Sequence, residues 1–383
     1  MRLGFVFDTT FIKYKDHYYS INLTNEFWKE RYLPFFEEIV VVGRYKEVFD
    51  DPSDKYVLSD SERVVFKCIK DTSLLRRLGG ILLSDSKFIE ENIRSCDRVI
   101  CRGSWGTKIC KRLRIPYMVN IVADPWDSYW NHSNLGKIVA PFFCLALKKA
   151  AYQAPFVSYV SRRYLQNRYP SKGEMGACPD VFLETPCMSV LEKRIERIKA
   201  QASDKVTIGL IGSTNVGYRG HLTVIKAVAE LKKRGIICQA KFLGGDANEH
   251  WNNVIQEFDV EDRVLFCGRV QGQEAVFKWI DDIDILVMPA KAETLGRAII
   301  EAMSRGCPVI GSLETAIGEQ IGSDCLCSAS DYSTVADLIE KMISNKAYMK
   351  YCAQENFYRS YKYCNEQNDE ARNSFLKRLI NFE

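Results

Sequence analysis

The chain alternates short apolar runs with segments of helical periodicity. In the first half the runs are continuously apolar, which is typical of strands buried on both faces. These runs are Leu3–Phe7, Glu38–Val42, Val64–Cys68, Arg98–Cys101, Tyr117–Val122 and Phe156–Tyr159. Helical segments such as Trp105–Leu113 and Gly136–Ala150 lie between them. The alternation predicts a parallel sheet with helices on both faces.

A second series begins at Val206–Ile211, after a stretch from Pro170 to Pro186 that is rich in Gly, Pro and small residues and is predicted to be a linker. The series continues with Leu222–Lys233 (helix), Gln239–Leu243 (strand), Trp251–Phe258 (helix), Val264–Cys267 (strand), Ala275–Ile280 (helix), Ile283–Met288 (strand), Gly296–Arg305 (helix) and Pro308–Gly311 (strand), then helices over Ser333–Ser344 and Lys346–Phe382. We therefore expect two doubly wound α/β halves, with ligands bound between them beyond the carboxyl ends of the strands.

The composition is that of an ordinary globular protein, with 46% hydrophobic and 27% charged residues. No apolar run approaches about 18 residues, and no signal-peptide pattern follows Met1, so we expect a cytoplasmic protein. The fourteen cysteines are scattered through apolar runs and have no metal-ligand spacing. Buried free thiols in a reducing compartment, and no metal site, are the expectation.

The net charge of +4 does not indicate binding to nucleic acid, but its distribution is uneven. Residues 1–185 contain 28 Lys and Arg against 22 Asp and Glu, whereas residues 186–383 contain 25 against 27. Basic residues gather beside two first-half helices, at Lys108, Lys111, Arg112, Arg114, Lys148 and Lys149. This pattern fits an anionic acceptor or the anionic inner face of a membrane, and solvated surface charge is the alternative.

Two glycine-containing loops follow predicted strands of the second half. In the loop 212–221, glycines permit close backbone approach, and Arg219 near a helix start can bind a phosphate. An ordinary Gly-rich turn is the alternative. The second loop contains Gly244 and Gly245 and is by itself only a turn signal.

A third loop carries the most specific pattern, with Glu293 before a predicted helix and Glu301 within it. A helix that starts near Leu295 would leave the amides of Thr294, Leu295 and Gly296 unpaired and able to bind an anion. Two carboxylates beside such amides suit a ligand that carries both hydroxyl and phosphate groups, as a nucleotide sugar does.

These loops resemble those of the family-four glycosyltransferases of GT-B fold. The resemblance lies in Glu293 and Glu301 with seven residues between them, Ala302-Met303 and Gly306 with Pro308-Val309-Ile310, Arg219-Gly220, Gly244-Gly245, and Val264, Phe266 and Gly268. It covers residues 205–330 closely and the first half only in general plan. It implies two Rossmann-like domains facing across a cleft. Residues 1–186 would bind the acceptor and 187–365 the nucleotide sugar, with a final helix over 366–383 packing back on the first domain.

The resemblance also implies a role for each matching residue. Glu293 would hold hydroxyls of the donor sugar, Glu301 would hold the ribose, and Arg219 would neutralise the diphosphate. Further donor-binding positions are Gly212, Ser213, Gly244, Lys291, Thr294, Leu295, Gly296 and Arg297, with Arg269 and Val270 beside the nucleobase. Because Ser213 stands where the family usually has Arg, phosphate binding would depend on Arg219 alone or gain charge from Lys291 or Arg297.

The first half offers fewer candidates. Asp124 ends a predicted strand at the expected cleft edge, and we hypothesise that it positions the attacking hydroxyl. An Asp before Pro that makes a turn is the alternative, and Asn131-His132 is a rival. The aromatic stretch Phe7–Ser20, with Asp16–Tyr19, is either a platform for an acceptor sugar or a packed loop.

The resemblance implies a retaining glycosyltransferase that needs neither metal nor cofactor. It would move a hexosyl or N-acetylhexosaminyl group from a UDP- or GDP-linked donor to a hydroxyl of a glycan or lipid-linked oligosaccharide. Bacterial surface polysaccharide synthesis is the expected setting. The alternatives are another GT-B enzyme, such as a sugar-nucleotide epimerase or phosphorylase, and a non-catalytic partner subunit that binds nucleotide sugar.

Overall fold

The computed structural model describes residues 1–71, 84–131, 133–202 and 205–382. The strands of the first half are β1 (Arg2–Tyr14), β2 (His17–Ser20), β3 (Glu38–Glu47), β4 (Val57–Leu58), β5 (Val64–Lys70), β6 (Arg98–Arg102), β7 (Tyr117–Ile121), β8 (Phe156–Tyr159) and β9 (Glu174–Ala177). The helices are α1 (Asn25–Arg31), α2 (Ser84–Ile93), α3 (Thr107–Leu113), α4 (Pro125–Trp130), α5 (Asn134–Gln153) and α6 (Tyr164–Arg168).

The second half contains strands β10 (Lys205–Ile211), β11 (Ile237–Leu243), β12 (Val264–Phe266), β13 (Ile285–Met288), β14 (Val309–Ser312) and β15 (Leu326–Cys327). The remaining helices are α7 (Met188–Ala200), α8 (His221–Lys233), α9 (Glu249–Glu257), α10 (Gln273–Asp281), α11 (Arg297–Ser304), α12 (Tyr332–Ser344), α13 (Lys346–Ser360) and α14 (Asn365–Ile380).

Each half has one sheet with the strand order of a doubly wound fold. In the first sheet, the parallel strands run in the order β5-β3-β1-β6-β7-β8-β9. Strand β2 pairs antiparallel with β1, and β4 pairs antiparallel with β2. The second sheet is parallel, in the order β12-β11-β10-β13-β14-β15. The strand order reverses between β1 and β6 and between β10 and β13, where such folds bind ligands. The expected pair of doubly wound halves is confirmed.

The structure corrects the prediction of a loop over Phe7–Ser20. Strand β1 continues to Tyr14, and the chain then turns back into β2. The ring of Tyr18 stacks on Phe66 at 4.7 Å, and Phe11 is fully buried beside both rings. The aromatic residues of this stretch therefore pack a hairpin onto the sheet. The predicted linker from Pro170 to Pro186 likewise contains β9, which pairs with β8 at the edge of the first sheet.

The last helix lies against the first sheet. The ring of Phe375 packs edge-on against Phe156, and Arg98 donates hydrogen bonds to the carbonyls of Leu379, Ile380 and Phe382 at 2.9, 2.7 and 2.8 Å. A guanidinium at a helix C-terminus satisfies carbonyls that the helix leaves unpaired. Strand β1 and helix α14, the first and last elements of the described chain, therefore both lie in the first half.

Contacts between the halves involve α11 and the loop before it. Leu295 and Ile300 are buried within the hydrophobic cluster of the first half, although both belong to the second half in sequence. Among the described residues, none of the helices combines the length and hydrophobicity that are needed to cross a bilayer.

Candidate functional site

The loops that follow β10, β11 and β13 meet at one edge of the second sheet. A Cβ atom on Gly244 would lie 2.3 Å from the carbonyl oxygen of Gly212, and one on Gly220 would lie 2.7 Å from that of Pro289. Both glycines have positive φ, so glycine is required at these crossings for space and for conformation. The amide of Lys291 donates to the carbonyl of Tyr218 at 2.8 Å. This packing brings Arg219 beside the loop that carries Glu293.

Arg219 and Glu293 form an ion pair at the carboxyl ends of β10 and β13. The Arg219 guanidinium also lies over the ring of Tyr218, 5.3 Å from its centroid. Both charged side chains are mostly buried but keep some exposure. The sequence prediction had placed these two residues at one site, and the structure brings them into direct contact.

The structure corrects the predicted set of free amides before α11. One carboxylate oxygen of Glu293 accepts hydrogen bonds from the amides of Thr294 and Leu295, at 3.1 and 3.4 Å. The helix begins at Arg297 rather than near Leu295, and Gly296 precedes it with φ 67°. The amides at a helix start are therefore those of Arg297 and Ala298. The error arose because the sequence shows where a helix can start but not that a neighbouring carboxylate binds the preceding amides.

Glu301 lies on α11 beside Arg297 and the side chain of Gln273. Burial raises the pKa of Glu301, while the charge of Arg297 and a hydrogen bond with Gln273 act in the opposite direction. The side-chain amide of Gln273 also donates to the carbonyl of Phe182, at 2.6 Å. Glu301 is thus held at the boundary between the second half and the segment that joins the two halves. Arg297, one turn earlier on the helix, is exposed.

The other predicted donor-binding residues lie on the loops around the Arg219–Glu293 pair. The Ser213 hydroxyl accepts a hydrogen bond from the amide of Asn215 at 3.3 Å and therefore supports the turn of its own loop. The Lys291 side chain is exposed. The Arg269 side chain donates to the carbonyl of Gly244 at 3.2 Å, and Val270 next to it is exposed. The backbones of Gly244 and Gly268 are hydrogen-bonded at 2.7 Å, which holds this turn against the loop after β11.

The loop of Glu293 touches the first half directly. The hydroxyl of Thr294 donates to the carbonyl of Val122, which follows β7, at 3.1 Å. The carboxyl ends of β7 and β13 therefore face each other across a narrow cleft. The halves approach here through this hydrogen bond and through the adjacent Leu295, which is buried in the hydrophobic cluster of the first half.

Asp124 does not occupy the predicted position at the cleft surface. It is fully buried, caps α4 by accepting a hydrogen bond from the Trp126 amide at 2.8 Å, forms an ion pair with Arg168 and accepts a hydrogen bond from the Tyr169 hydroxyl. A carboxylate with these partners is a structural group, so the geometry does not support its contact with an acceptor hydroxyl. The alternative reading, an Asp that makes a turn before Pro, agrees with the cap.

Asp127, one turn further along α4, is a functional candidate that the sequence reasoning missed. Burial first, and then the charges of Asp124 and Glu293, raise the pKa of Asp127 to about 6, although the charge of Arg168 and the hydrogen bond from Tyr164 act in the opposite direction. Its carboxylate accepts a hydrogen bond from the Tyr164 hydroxyl at 3.4 Å. Asp127 therefore lies beside Tyr164, whose amide donates to Glu319 of the second half. A shifted carboxylate in a cleft is a recognised signal of function.

Asn131 and His132, the rival candidates, are less informative. The side chain of Asn131 is exposed and donates to the carbonyl of Asp127 at 2.9 Å, which ends α4. His132 lies outside the residues that the structure describes.

The carboxylate of Glu319, in the second half, forms hydrogen bonds with backbone amides of the first half. Glu319 accepts hydrogen bonds from the amides of Arg162, Arg163 and Tyr164 at 2.6, 2.7 and 2.9 Å. These amides lie at the start of α6, in the first half. Next to Glu319, the Gln320 side chain donates to the carbonyl of Leu295. The segment around Glu319 therefore supports the Glu293 loop and binds the first half.

This arrangement can bind a diphosphate that is joined to a polyhydroxylated ring. Arg219 and the amides at the start of α11 can neutralise phosphate oxygens, because a guanidinium and a helix N-terminus both favour negative charge. The Glu293 and Glu301 carboxylates can accept hydrogen bonds from hydroxyl groups on either side of that charge.

Comparison with known proteins agrees with this geometry. Residues 205–345 match the family described as Glycosyl transferases group 1. Over 365 residues the chain is 30% identical to Protein CapJ from Staphylococcus aureus, a match that covers 93% of this chain and 90% of CapJ.

Two solved structures show the same fold at low identity. Sucrose-phosphate synthase from Thermosynechococcus elongatus superposes with a TM-score of 0.71 at 14% identity, over 99% of both chains. HepE from Anabaena, in complex with UDP-glucose, superposes with a TM-score of 0.65 at 14% identity, over 98% of this chain and 99% of HepE.

Proposed function

This protein belongs to the group 1 glycosyl transferases and has their GT-B fold, and we propose that it transfers a sugar from a nucleotide-sugar donor to a hydroxyl of a glycan or lipid-linked oligosaccharide. The observation that carries the proposal is the Arg219–Glu293 ion pair, which stands at the strand-order reversal of the second sheet and beside the start of α11. This is where a doubly wound sheet binds nucleotides.

In the proposed complex, the Arg219 guanidinium turns from Glu293 to the diphosphate, and Glu293 is then free to bind hydroxyls of the donor sugar. The amides of Arg297 and Ala298 add positive potential. Ser213 cannot replace the charge of the Arg that related enzymes have there. Lys291 is suited to supply it, because its backbone is fixed against the Arg219 loop and its side chain is exposed.

Glu301 is proposed to accept hydrogen bonds from the ribose hydroxyls, and the turn with Arg269 and Val270 to border the nucleobase. A UDP- or GDP-linked hexose or N-acetylhexosamine is the proposed donor. The likeness to HepE, whose structure contains UDP-glucose, supports a uridine nucleotide.

The proposed reaction retains anomeric configuration. The acceptor hydroxyl attacks the anomeric carbon on the face from which the diphosphate leaves. The bond between that carbon and the diphosphate oxygen breaks, a new carbon–oxygen bond forms, and a phosphate oxygen takes the hydroxyl proton. Arg219 and the α11 amides stabilise the charge on the leaving group, so the reaction needs no metal ion in this proposal.

Surface chemistry supports an acceptor at a membrane. Ile138, Phe142 and Leu145 project from one face of α5 and are 66%, 66% and 64% exposed. The same helix has three lysines and no acidic residue. An apolar stripe beside positive charge suits the headgroup region of an anionic bilayer. A peripheral enzyme at the inner face of a bacterial membrane, acting in surface polysaccharide synthesis, is the function we propose.

A thermal-shift screen of UDP-, GDP-, ADP- and dTDP-sugars, with and without EDTA, tests the donor. A ligand that binds only the folded state raises the melting temperature according to its affinity. We expect one nucleotide class to raise it despite EDTA and to lose this effect in Glu301→Ala.

The other outcomes distinguish the alternatives. A shift that disappears with EDTA would contradict metal-independent binding. No shift with any nucleotide sugar would favour a partner subunit with a disabled donor site. Binding followed by conversion of the donor without an acceptor would favour an epimerase or phosphorylase.

A further inference from the structure

A cavity of about 400 Å³ lies in the first half, apart from the Arg219–Glu293 pair. It lies between α3, α5 and β7, is partly open to solvent, and most of its surface is apolar. The apolar lining includes Ile109, Tyr117, Ile121, Phe143, Leu147 and Ala150. Protein interiors rarely leave voids much larger than a water molecule, whereas cavities of several hundred Å³ are typical of ligand sites.

Lysines border this cavity. Lys108 and Lys111 on α3 and Lys149 on α5 line it, and all three are exposed. Within the part of the chain that the structure describes, none of them forms an ion pair with a carboxylate. Arg112, which also lies on α3, differs from these lysines because it forms an ion pair with Glu90. The lysines therefore keep their charge available to an anionic ligand.

The acidic groups near the cavity do not cancel this charge. Asp8, which lines it, and Asp85 on α2 both form ion pairs with the buried Arg44. The lining as a whole combines an apolar interior with an unneutralised basic rim. That combination is complementary to a molecule with an apolar chain and a phosphate group.

The cavity also reaches the cleft between the halves. Asn120, Val122 and Ala123, at the carboxyl end of β7, belong to its lining. The carbonyl of Val122 is the group that Thr294 binds, next to Glu293. Alongside, α5 turns its exposed apolar stripe toward solvent. A lipid held here would have its polar end near the point where the donor sugar is proposed to bind.

We propose that this cavity binds the apolar chain of a phosphate-bearing acceptor lipid, whose phosphate is held by Lys108, Lys111 and Lys149. The inference rests on the proposed transfer to a lipid-linked acceptor and names the substrate class and its site. It selects an acceptor lipid rather than a bulk membrane lipid, because the cavity opens beside the Glu293 loop.

Binding of farnesyl diphosphate, measured by isothermal titration calorimetry on the full chain, tests the site. Ala146→Trp fills the exposed mouth of the cavity, and replacing Lys108, Lys111 and Lys149 by Gln removes the charge. We expect each change to weaken binding by about tenfold or more, whereas inorganic diphosphate binds the unaltered protein far more weakly than farnesyl diphosphate. Lys148→Gln, which removes a neighbouring charge outside the cavity, is expected to leave the dissociation constant within about twofold.

Other results would overturn the inference. Equal binding of farnesyl diphosphate to the unaltered protein and Ala146→Trp, or equal binding of inorganic diphosphate, would show that the cavity takes no chain. Equal or tighter binding of dihexanoyl phosphatidylglycerol would assign the cavity to bulk lipid. The nucleotide thermal shift, measured in the same variants, separates the two proposals. If it persists while farnesyl diphosphate fails to bind, only the cavity inference fails, and if it is absent everywhere, the proposed donor site fails.

Discussion

The Arg219–Glu293 ion pair joins two side chains that the proposed reaction uses separately. Without a ligand, the two side chains neutralise each other. In the proposed complex, Arg219 binds the diphosphate and Glu293 binds hydroxyl groups of the sugar. If the proposed reaction is correct, substitutions at this pair should affect turnover far more than folding.

We expect Glu293→Ala and Arg219→Ala each to lower kcat by about 100-fold or more, because each removes a group that contacts the sugar or the leaving diphosphate. Glu301→Ala should mainly raise KM for the donor. Steady-state kinetics with the donor identified by thermal shift would measure both effects. Glu314→Gln, a change at an exposed carboxylate of the same half, is the control. Near-normal kinetics in all three variants would contradict the assigned site.

Asp127 should make the stability of the protein depend on pH. Burial first, and then the charge of Asp124, raises the pKa of Asp127 from 3.8 to about 6, so the folded protein binds this proton more tightly than the unfolded chain does. Its contribution to stability is complete below about pH 4 and is lost as the pH rises through about 6. Asp127→Asn removes this loss, and we expect it to stabilise the protein by about 2 to 3 kcal/mol at pH 7.5 and much less at pH 4.5.

Urea unfolding at the two pH values, compared with the unaltered protein, measures this difference. Asp54→Asn changes an exposed carboxylate and serves as the control. The same gain at both pH values would mean that Asp127 is ionised in the folded protein as readily as in the unfolded chain. A stabilising change that also lowers turnover would support a role for Asp127 at the cleft.

The sequence predicted the site residues correctly where they belong to a recognisable motif. It did not do so where two neighbouring carboxylates were both candidates for the same role. Glu293 and Arg219 were identifiable because each follows a strand whose position the apolar pattern defines. Asp124 was preferred to Asp127 because it is the first acidic residue after the predicted strand Tyr117–Val122. The structure shows that an Asp immediately before a helix is used as its cap, and that Asp127, one turn later, contacts Tyr164 instead. The cap preference of Asp before Pro was the signal that could have reversed this choice.

Helix α8 has a glycine with positive φ at each end, and the two have different surroundings. A Cβ atom on Gly220 would lie 2.7 Å from the carbonyl oxygen of Pro289, whereas one on Gly235 would meet no atom within 4 Å. Gly235→Ala should cost about 1 kcal/mol from conformation alone. Gly220→Ala should cost about 3 kcal/mol, because it adds a steric clash with a backbone that cannot yield freely.

The same two variants test whether the contact between Gly220 and Pro289 positions the donor-binding loops. Gly220→Ala should also reduce the nucleotide thermal shift, since it displaces the Arg219 loop from the Glu293 loop, while Gly235→Ala should not. Urea midpoints and the ligand-induced shift measure the two effects. Equal destabilisation by both variants would show that Pro289 moves aside without cost.

The exposed stripe on α5 gives a prediction for membrane binding. Phe142→Ser with Leu145→Ser should reduce sedimentation with vesicles that contain phosphatidylglycerol by about tenfold or more, because each side chain contributes apolar burial in the headgroup region. Binding should weaken with salt and should be lower on vesicles of phosphatidylcholine alone. Tyr351→Ser with Tyr358→Ser, at exposed positions on α13, is the matched control. Unchanged sedimentation of the α5 variant would exclude this face as the contact.

The strands and helices were predictable where the hydrophobic pattern alone determines them. The strands of the second sheet are short apolar runs between helices, and all four residues of β13 are buried as that pattern requires. The hairpin of β1 and β2 was missed because β1 extends beyond the apolar run Leu3–Phe7 into a mixed aromatic and polar stretch. Its pairing with β3 and β2, not its own hydrophobicity, keeps it extended. Strand β9 was missed for the same reason, since an edge strand needs little apolar sequence.

Glu319 should control how firmly the halves are held together at the cleft. Its carboxylate binds three successive amides, those of Arg162, Arg163 and Tyr164, and hydrogen bonds to a charged group are stronger than neutral ones. Glu319→Gln removes the charge and one acceptor oxygen. We expect hydrogen exchange of these amides to rise by about tenfold or more. Hydrogen–deuterium exchange with mass spectrometry, with Glu314→Gln as the control, measures it, and unchanged protection would show that Glu319 is not what holds them.

The overall architecture followed from the repeated alternation of strands and helices, but the contacts between halves did not. Nothing in the sequence shows that Leu295 and Ile300 pack in the first half while the neighbouring Glu293 and Glu301 are proposed to bind ligand. Such contacts depend on the relative placement of two separately folded sheets, which no local pattern encodes. The cavity between α3 and α5 was equally invisible, because its lining residues read individually as ordinary core.

The return of α14 to the first sheet has a consequence for synthesis on the ribosome. Translation produces β6 and β8 early, yet the carbonyls that Arg98 binds and the ring that packs on Phe156 belong to residues made more than two hundred positions later. The second sheet, by contrast, is built from strands that are contiguous in the chain. We therefore expect the nascent protein to complete its second half while the earlier-made half still exposes the apolar surface that α14 will cover. During that interval, the part of the molecule made first is the part most dependent on chaperones.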